Sequence, residues 1–288
     1  MSDIQQISIA REKFIEKFKK DKKSSYTILA YGNDLSQFEL FLQGKQITQV
    51  TAVRTEEIET FKTYLLEDKN YTPKSVSRKL NSIKAFFRFL TSQKVITEDP
   101  ATSVTHPRFK VEPPRILSKM EYRALRDTVR DNARLAAIIE LLLQTGMRIG
   151  ELARLELEDI HDKSVHIKAN ETQNEREVPL NIAAKRALDR YMEIRPNSKI
   201  REAFITKNHH SMNVRNIRSA IDRYFRLAGI KNATVNDLRH TFIAHQLAAG
   251  TSPVLLQQIV GHKRLSTTEK YLEFIKDKVT STEKLEEL

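Results

Sequence analysis

The sequence predicts a mainly α fold in two domains: a small all-helical one, then a larger α-helical one carrying a small antiparallel β-hairpin. Three observations predict it. Apolar residues recur at three- and four-residue spacing through almost the whole chain, the signature of amphipathic helices. A proline-rich stretch, THPRFKVEPPRILSK at 105–119, interrupts that rhythm. Only SVHIKAN (164–170) and REVPLN (176–181) alternate apolar and polar positions as a half-buried hairpin would. The domains are therefore placed at 1–105 and 118–288, with 106–117 a linker whose prolines favour an extended connection.

Residues 1–105 read as helical throughout. In SYTILAYGNDLSQFELFLQ, Ile28, Tyr31, Leu35, Phe38 and Leu42 make the buried stripe, and Ile58, Phe61 and Leu65 repeat it in RTEEIETFKTYLLED. The next helix, TPKSVSRKLNSIKAFFRFLTSQK, has Thr72 to cap it and Pro73 at its first position. Val76, Leu80, Ile83, Phe86, Phe87 and Leu90 face inward, whereas Lys74, Arg78, Lys79, Lys84 and Arg88 make a basic face. No Asp or Glu occurs between Asp68 and Glu98. A solvated helix face usually mixes signs, and a surface gains by excluding carboxylates when it meets phosphates. Those five cations are the candidate DNA contacts. Past the linker, SKMEYRALRDTV and RLAAIIELLLQ read as helices, the hairpin follows, and from Ala183 the pattern is helical to the end.

Bulk properties narrow the function. The chain has 288 residues, no cysteine, a formal charge of +12 and a pI near 9.7. Lack of cysteine removes disulfides, thiolate metal sites and cysteine nucleophiles. Both domains carry a basic surplus, as expected of a protein that grips a polyanion. The N-terminus lacks a basic region followed by an apolar run, and LAAIIELLL (135–143) is too short for a membrane span. A cytoplasmic, nucleoid-associated protein is expected, with double-stranded DNA as partner and no membrane.

Three stretches carry chemistry. In QTGMRIGELARLELEDI (144–160), Gly146 can end one helix in a left-handed cap, so that Arg148 opens the next. Arg148 is then an anion-binding guanidinium at a helix start, with Glu151 one turn on to orient a neighbour. In NATVNDLRHTFIAHQLAAG (232–250), Thr234 and Asp237 form a capping box and Gly250 ends the helix. Asn236, Arg239, His240 and Ile243 share one face of it, with Val235, Leu238 and Phe242 toward the core. In SPVLLQQIVGHKRLSTTEKYLEF (252–274), a short helix opens at Ser252 and Pro253 and closes at Gly261. His262 follows directly, and a capping box of Ser266 and Glu269 places Tyr271 one turn inside the last helix.

Each piece alone has a structural explanation: a surface Arg–Glu pair, a core histidine, a packed tyrosine. Together, two arginines, a histidine and a tyrosine can exchange phosphodiesters without metal. Guanidinium groups neutralise charge growing on the pentacoordinate phosphate, the phenol attacks phosphorus, and a general acid protonates the departing 5′-oxygen. A phenol pKa of about 10 requires that something assist proton loss.

The order TGMRIGEL, NDLRHTF, VGH, STTEKY resembles the tyrosine recombinase (phage integrase) family, in particular its short Xer-like members, over about residues 120–275. The resemblance implies a core-binding domain at 1–105 and a catalytic domain at 118–288. It implies that Arg148 and Arg239 are catalytic, that Glu151 braces the site, that His262 is the catalytic histidine and that Tyr271 is the nucleophile, with His240 a structural companion of Arg239. It also implies a tetramer on two DNA sites, in which the tail KDKVTSTEKLEEL docks on a neighbour through Val279, Leu285 and Leu288. No cofactor or metal is expected, because a phosphotyrosine conserves bond energy, no phosphate loop is present, and carboxylates are not clustered for a two-metal site.

The sequence departs from the family pattern twice. Where a His or Lys usually stands three residues before the second arginine, this chain has Asn236, which cannot accept a proton at neutral pH. Proton removal then falls to water or to His262. The hairpin lysine, the usual general acid, is displaced: counting back from REVPL reaches Glu171, leaving Lys168 as the nearest candidate and Lys163 as a further one. The leading reading is a site-specific recombinase forming a 3′-phosphotyrosine, resolving dimers or transposon cointegrates; the departures point toward DNA integration or transposition by a mobile element. A type IB topoisomerase-like relaxase and a non-catalytic DNA-binding regulator on the same scaffold remain as alternatives.

Overall fold

The computed structural model describes residues 5–171 and 173–279, the side chains only to Ile275. It divides into two compact units, Met1–Val111 and Glu112–Leu288.

The first unit holds α1 (Ile7–Lys20), α2 (Ser25–Gln43), α3 (Thr55–Glu67) and α4 (Pro73–Ser92). Ser24 caps α2 and Thr72 caps α4, each side-chain oxygen accepting from a backbone N–H three residues on. The predicted apolar stripes meet in an aromatic core: Phe14 against Phe86, Phe38 against Phe61, and Phe86 against Phe87, with ring centroids 5.0 to 5.7 Å apart. A polar cluster centred on Asp34 is buried beside them. Asp34 accepts from both Arg78 nitrogens (2.5 and 2.6 Å), from Lys79 Nζ (3.0 Å) and from Ser82 Oγ (2.8 Å), so its charge is fully compensated.

The second unit holds α5 (Lys119–Thr128), α6 (Ala133–Thr145), α7 (Ile149–Ala153), β1 (Ser164–Ile167), β2 (Arg176–Pro179), α8 (Ile182–Ile194), α9 (Val214–Leu227), α10 (Val235–Ala248), α11 (Pro253–Val260) and α12 (Leu265–Val279). The apolar helix α6 is its centre, packing on α8 and α10. The strands pair antiparallel, Val165 opposite Val178 and Ile167 opposite Arg176. Among the described residues there are twelve α-helices and this one two-stranded sheet, the predicted fold class.

A second, smaller core positions the site. Phe242, Ile243 and Leu247 of α10, Leu256 and Val260 of α11, and Tyr271 and Ile275 of α12 bury one another.

Two expectations change. The chain from Ala183 onward is not helical throughout: α8 stops at Ile194, because Pro196 drives Arg195 into extended backbone. Residues 201–203 then lie along 155–157, with Leu157 N–H donating to Arg201 O (2.9 Å) and Ala203 N–H to Leu155 O (2.7 Å). The last helix opens at Leu265, so Ser266 lies inside it and Tyr271 sits in its second turn.

Candidate active site

Two left-handed glycines set the site up. Gly146 ends α6 at φ 62°, and a Cβ there would collide with the Phe242 ring, so α6 and α10 can approach only because the residue is glycine. The turn delivers Arg148 to the start of α7. Its N–H donates to Glu151 Oε2 (2.8 Å) and its Nη1 to Glu151 Oε1 (3.0 Å), so one carboxylate both caps the helix start and aims the guanidinium. Gly261 ends α11 at φ 67° and hands the chain to His262.

The end of α11 is where the cations converge. Its last carbonyls have no partner within the helix and carry the negative end of the helix dipole. Arg176 Nε donates to Ile259 O (2.7 Å), Arg239 Nη2 to Val260 O (2.8 Å) and Arg148 Nη2 to Gly261 O (3.0 Å). Three guanidinium groups, from residues far apart in sequence, thus end on three successive carbonyls. Arg239 is buried and also donates to Gly146 O, whereas the Arg148 side chain is about a third exposed and open to an incoming anion. Burial, then the charge of Arg148, push Arg239 down to about 9, so it remains a cation at neutral pH.

Arg176 was not among the sequence candidates. Both its Nη atoms bond to Glu151, at 3.0 and 2.8 Å, so Glu151 bridges Arg148 and Arg176. Burial alone would raise the Glu151 pKa; the bonds and charges of Arg176 and Arg148 outweigh it and hold the carboxyl below the ordinary range. A signal for Arg176 exists in the sequence. It lies two residues before Val178 on β2 and therefore shares the inward face, and a cation there needs a buried carboxylate.

His262 and Tyr271 complete the group. His262 Nδ1 is 2.8 Å from the hydroxyl of Thr268, which is wholly buried. Burial first, then Arg239 and Arg148, push His262 down to about 4, so its ring is neutral near pH 7. The ring of Tyr271 stacks beside it at 6.4 Å between centroids. Tyr271 is 7% exposed, and its hydroxyl lies 2.6 Å from Nδ1 of His240. Burial raises the phenol's pKa and the charge of Arg239 opposes it. His240 was expected to be a companion of Arg239; the structure bonds it to the tyrosine instead.

Other candidates lie apart. Asn236 is exposed on the first turn of α10. Lys168 Nζ is held by Glu156 (2.7 Å), Glu158 (2.8 Å) and Asp159 (3.2 Å). Those carboxylates, Glu156 and Glu158 foremost, raise its pKa and make it a reluctant acid in this arrangement. It lines a cleft of about 360 Å³ together with Glu151. Lys163 and Glu171 are exposed at the two ends of the hairpin's first half. In the first unit Lys74, Arg78 and Arg88 are exposed, Lys84 is half-buried, and Lys79 is buried against Asp34. Leu285 and Leu288, and the side chain of Val279, lie outside the described residues.

Residues 115–277 match the model of the phage integrase family, and residues 12–94 match that of the phage integrase N-terminal SAM-like domain. The chain belongs to the phage integrase family. A tyrosine recombinase XerC of Staphylococcus carnosus (strain TM300) is 30% identical to this integrase-family chain over 259 residues, 86% of each protein. Among solved structures, the Tn1549 transposon integrase in complex with a circular intermediate DNA superimposes with a TM-score of 0.79 at 17% identity, covering 93% of this chain and 94% of that one. A lambda integrase tetramer bound to a Holliday junction gives 0.76 at 17% identity, covering 90% and 78%. At those identities the structures show a shared fold. The family and the XerC relatives make this chain a site-specific tyrosine recombinase, which cleaves and rejoins DNA through a tyrosine intermediate. Among the described residues no helix is long and apolar enough to cross a membrane.

Proposed function

We propose that Tyr271 is the nucleophile, and that Arg148 and Arg239 hold the scissile phosphate, with His262 donating a hydrogen bond to it. The single observation behind this reading is that Arg148 and Arg239 reach adjacent carbonyls, Gly261 and Val260, immediately before His262, whose ring stacks on Tyr271. A phosphate oxygen is a better acceptor than those carbonyls and would draw the open face of Arg148. Attack by the phenol leaves DNA on Tyr271 through its 3′-phosphate, and a partner's 5′-hydroxyl reverses the step. Lys168 protonates the departing oxygen once DNA draws the hairpin out of its carboxylate nest. Glu151, braced by Arg176, keeps Arg148 aimed.

In this proposal residues 1–105 clasp DNA through Lys74, Lys84, Arg88 and the outer half of Arg78, while Lys79 serves the fold through Asp34. Four copies act on two sites, as the lambda integrase tetramer does on a Holliday junction, and the C-terminal tail links neighbours. The product is resolution of dimers or cointegrates, and the protein resides on the nucleoid.

The test is incubation with genomic fragments, denaturing capture of covalent protein–DNA adducts, and sequencing of the attached ends. Expected are adducts at one recurring sequence, joined through a 3′-phosphate and lost in Tyr271→Phe. Adducts that persist in Tyr271→Phe, or none at all, would overturn the assignment. Relaxation of plasmids lacking that sequence would indicate a topoisomerase instead.

A further inference from the structure

Asn236 cannot take a proton, and the structure supplies a group that can. His240 lies one helical turn further along α10, with Nδ1 2.6 Å from Tyr271 Oη. His262 is the rival, but its Nδ1 is engaged by Thr268 and its ring meets Tyr271 by stacking, not by a hydrogen bond. We infer that the imidazole of His240 receives the proton of Tyr271 as the phenol attacks phosphorus. This rests on the reading of Tyr271 as nucleophile and extends it.

The step balances. The Tyr271 O–H bond breaks and Nδ1–H of His240 forms; the phenolic oxygen bonds to phosphorus as the bond from phosphorus to the 5′-oxygen breaks, and that oxygen takes its proton from the general acid. Joining runs the same path backward, the imidazolium returning its proton to the leaving tyrosinate. To receive at Nδ1, the resting imidazole must carry its proton on Nε2.

The charges facing His240 make the transfer depend on DNA. On its own helix stand Arg239, which disfavours an imidazolium, and Asp237, which favours one; across from it are Tyr271 and the neutral ring of His262. Burial, the largest influence, also disfavours the charged ring in the resting protein. A phosphate arriving on Arg148 and Arg239 offsets the opposing charge, so the proton affinity of His240 rises when the substrate is in place.

Two measurements test this. In the DNA-free protein, nitrogen-15 spectra of His240 should show the Nε2–H tautomer; an Nδ1–H tautomer overturns the proposal, whatever the enzyme does to DNA. In single-turnover cleavage of a nicked suicide duplex carrying the captured site, His240→Asn keeps a polar atom near the Nδ1 position but cannot become a cation. It should bind the duplex with unchanged affinity and cleave about 100- to 1,000-fold more slowly near pH 7. Its rate should keep rising with pH, whereas the wild type levels off once His240 is neutral. Cleavage within threefold of wild type, or faster because the bond merely restrains the phenol, refutes the role of His240. If the wild type itself forms no adduct, the nucleophile assignment fails separately. Should the variant not fold, the tautomer decides.

Discussion

Replacing Arg176 by methionine removes a cation that touches no proposed substrate atom, and the structure allows its cost to be worked out. Glu151 is buried and the Arg176 side chain nearly so, at 2% and 9% exposed, and they share two charge-assisted bonds of 3.0 and 2.8 Å. Breaking a buried ion pair by deleting one partner costs about 3–5 kcal/mol. Glu151 would keep the side chain and N–H of Arg148, at 3.0 and 2.8 Å, so the lower end applies. A loss of about 3 kcal/mol in a unit of this size lowers its Tm by roughly 6–12 °C. The loss should also depend on pH. The folded pKa of Glu151 is depressed, so its contribution is complete above the unfolded carboxylate value of about 4.3 and fades only as pH falls through the folded value. In the variant burial is opposed by Arg148 alone, the folded pKa rises, and the acid limb starts at higher pH. Thermal unfolding followed by circular dichroism from pH 3.5 to 7 reads both effects. A Tm change below 2 °C, or acid limbs that coincide, would refute the bridging role of Glu151.

Gly261→Ala should lose about 2 kcal/mol, since a left-handed alanine costs about 1–2 kcal/mol and its Cβ would stand 3.0 Å from Arg176 Cζ; an unchanged Tm would contradict this. Arg239→Ala should abolish adduct formation while Asn236→Ala retains most of it, because Arg239 is buried in the site and Asn236 is exposed; equal losses on a suicide duplex would be inconsistent with that placement. Lys168→Ala should cleave ordinary DNA far more slowly yet recover on a 5′-bridging phosphorothiolate, whose leaving group needs no proton; an unchanged ratio between the two substrates removes Lys168 from the mechanism. Asp34→Ala should destabilise the first unit by about 3–5 kcal/mol by stranding Lys79, and denaturant melts with an unmoved first transition would disprove it.

What was legible in the sequence followed local rules. Caps at Thr72 and Thr234, helix stops at Gly146 and Gly261, and the stripe of α4 all depend on neighbours within a turn or two. Position by position, Arg148 and Glu151 were readable because they lie one turn apart at a helix start. For Arg176 the alternation of β2 marks an inward-facing cation but not its partners, because Glu151 and Ile259 lie 25 and 83 residues away. The bond from His240 to Tyr271 spans 31 residues and depends on how α10 and α12 pack. The dual nature of the basic face of α4 was hidden for the same reason. Lys79 and Lys84 are alike in sequence, and only the position of Asp34 separates an internal cation from an outward one.

The anchoring of three guanidinium groups on the end of α11 has a kinetic consequence. Freezing long, flexible side chains is an entropic expense met once, when the polypeptide folds, and not again at each turnover. A phosphodiester that enters finds its electrostatic environment already oriented, with little dielectric relaxation left to await. What is left to move is the proton shared between one phenol and one imidazole, 2.6 Å apart in the resting protein.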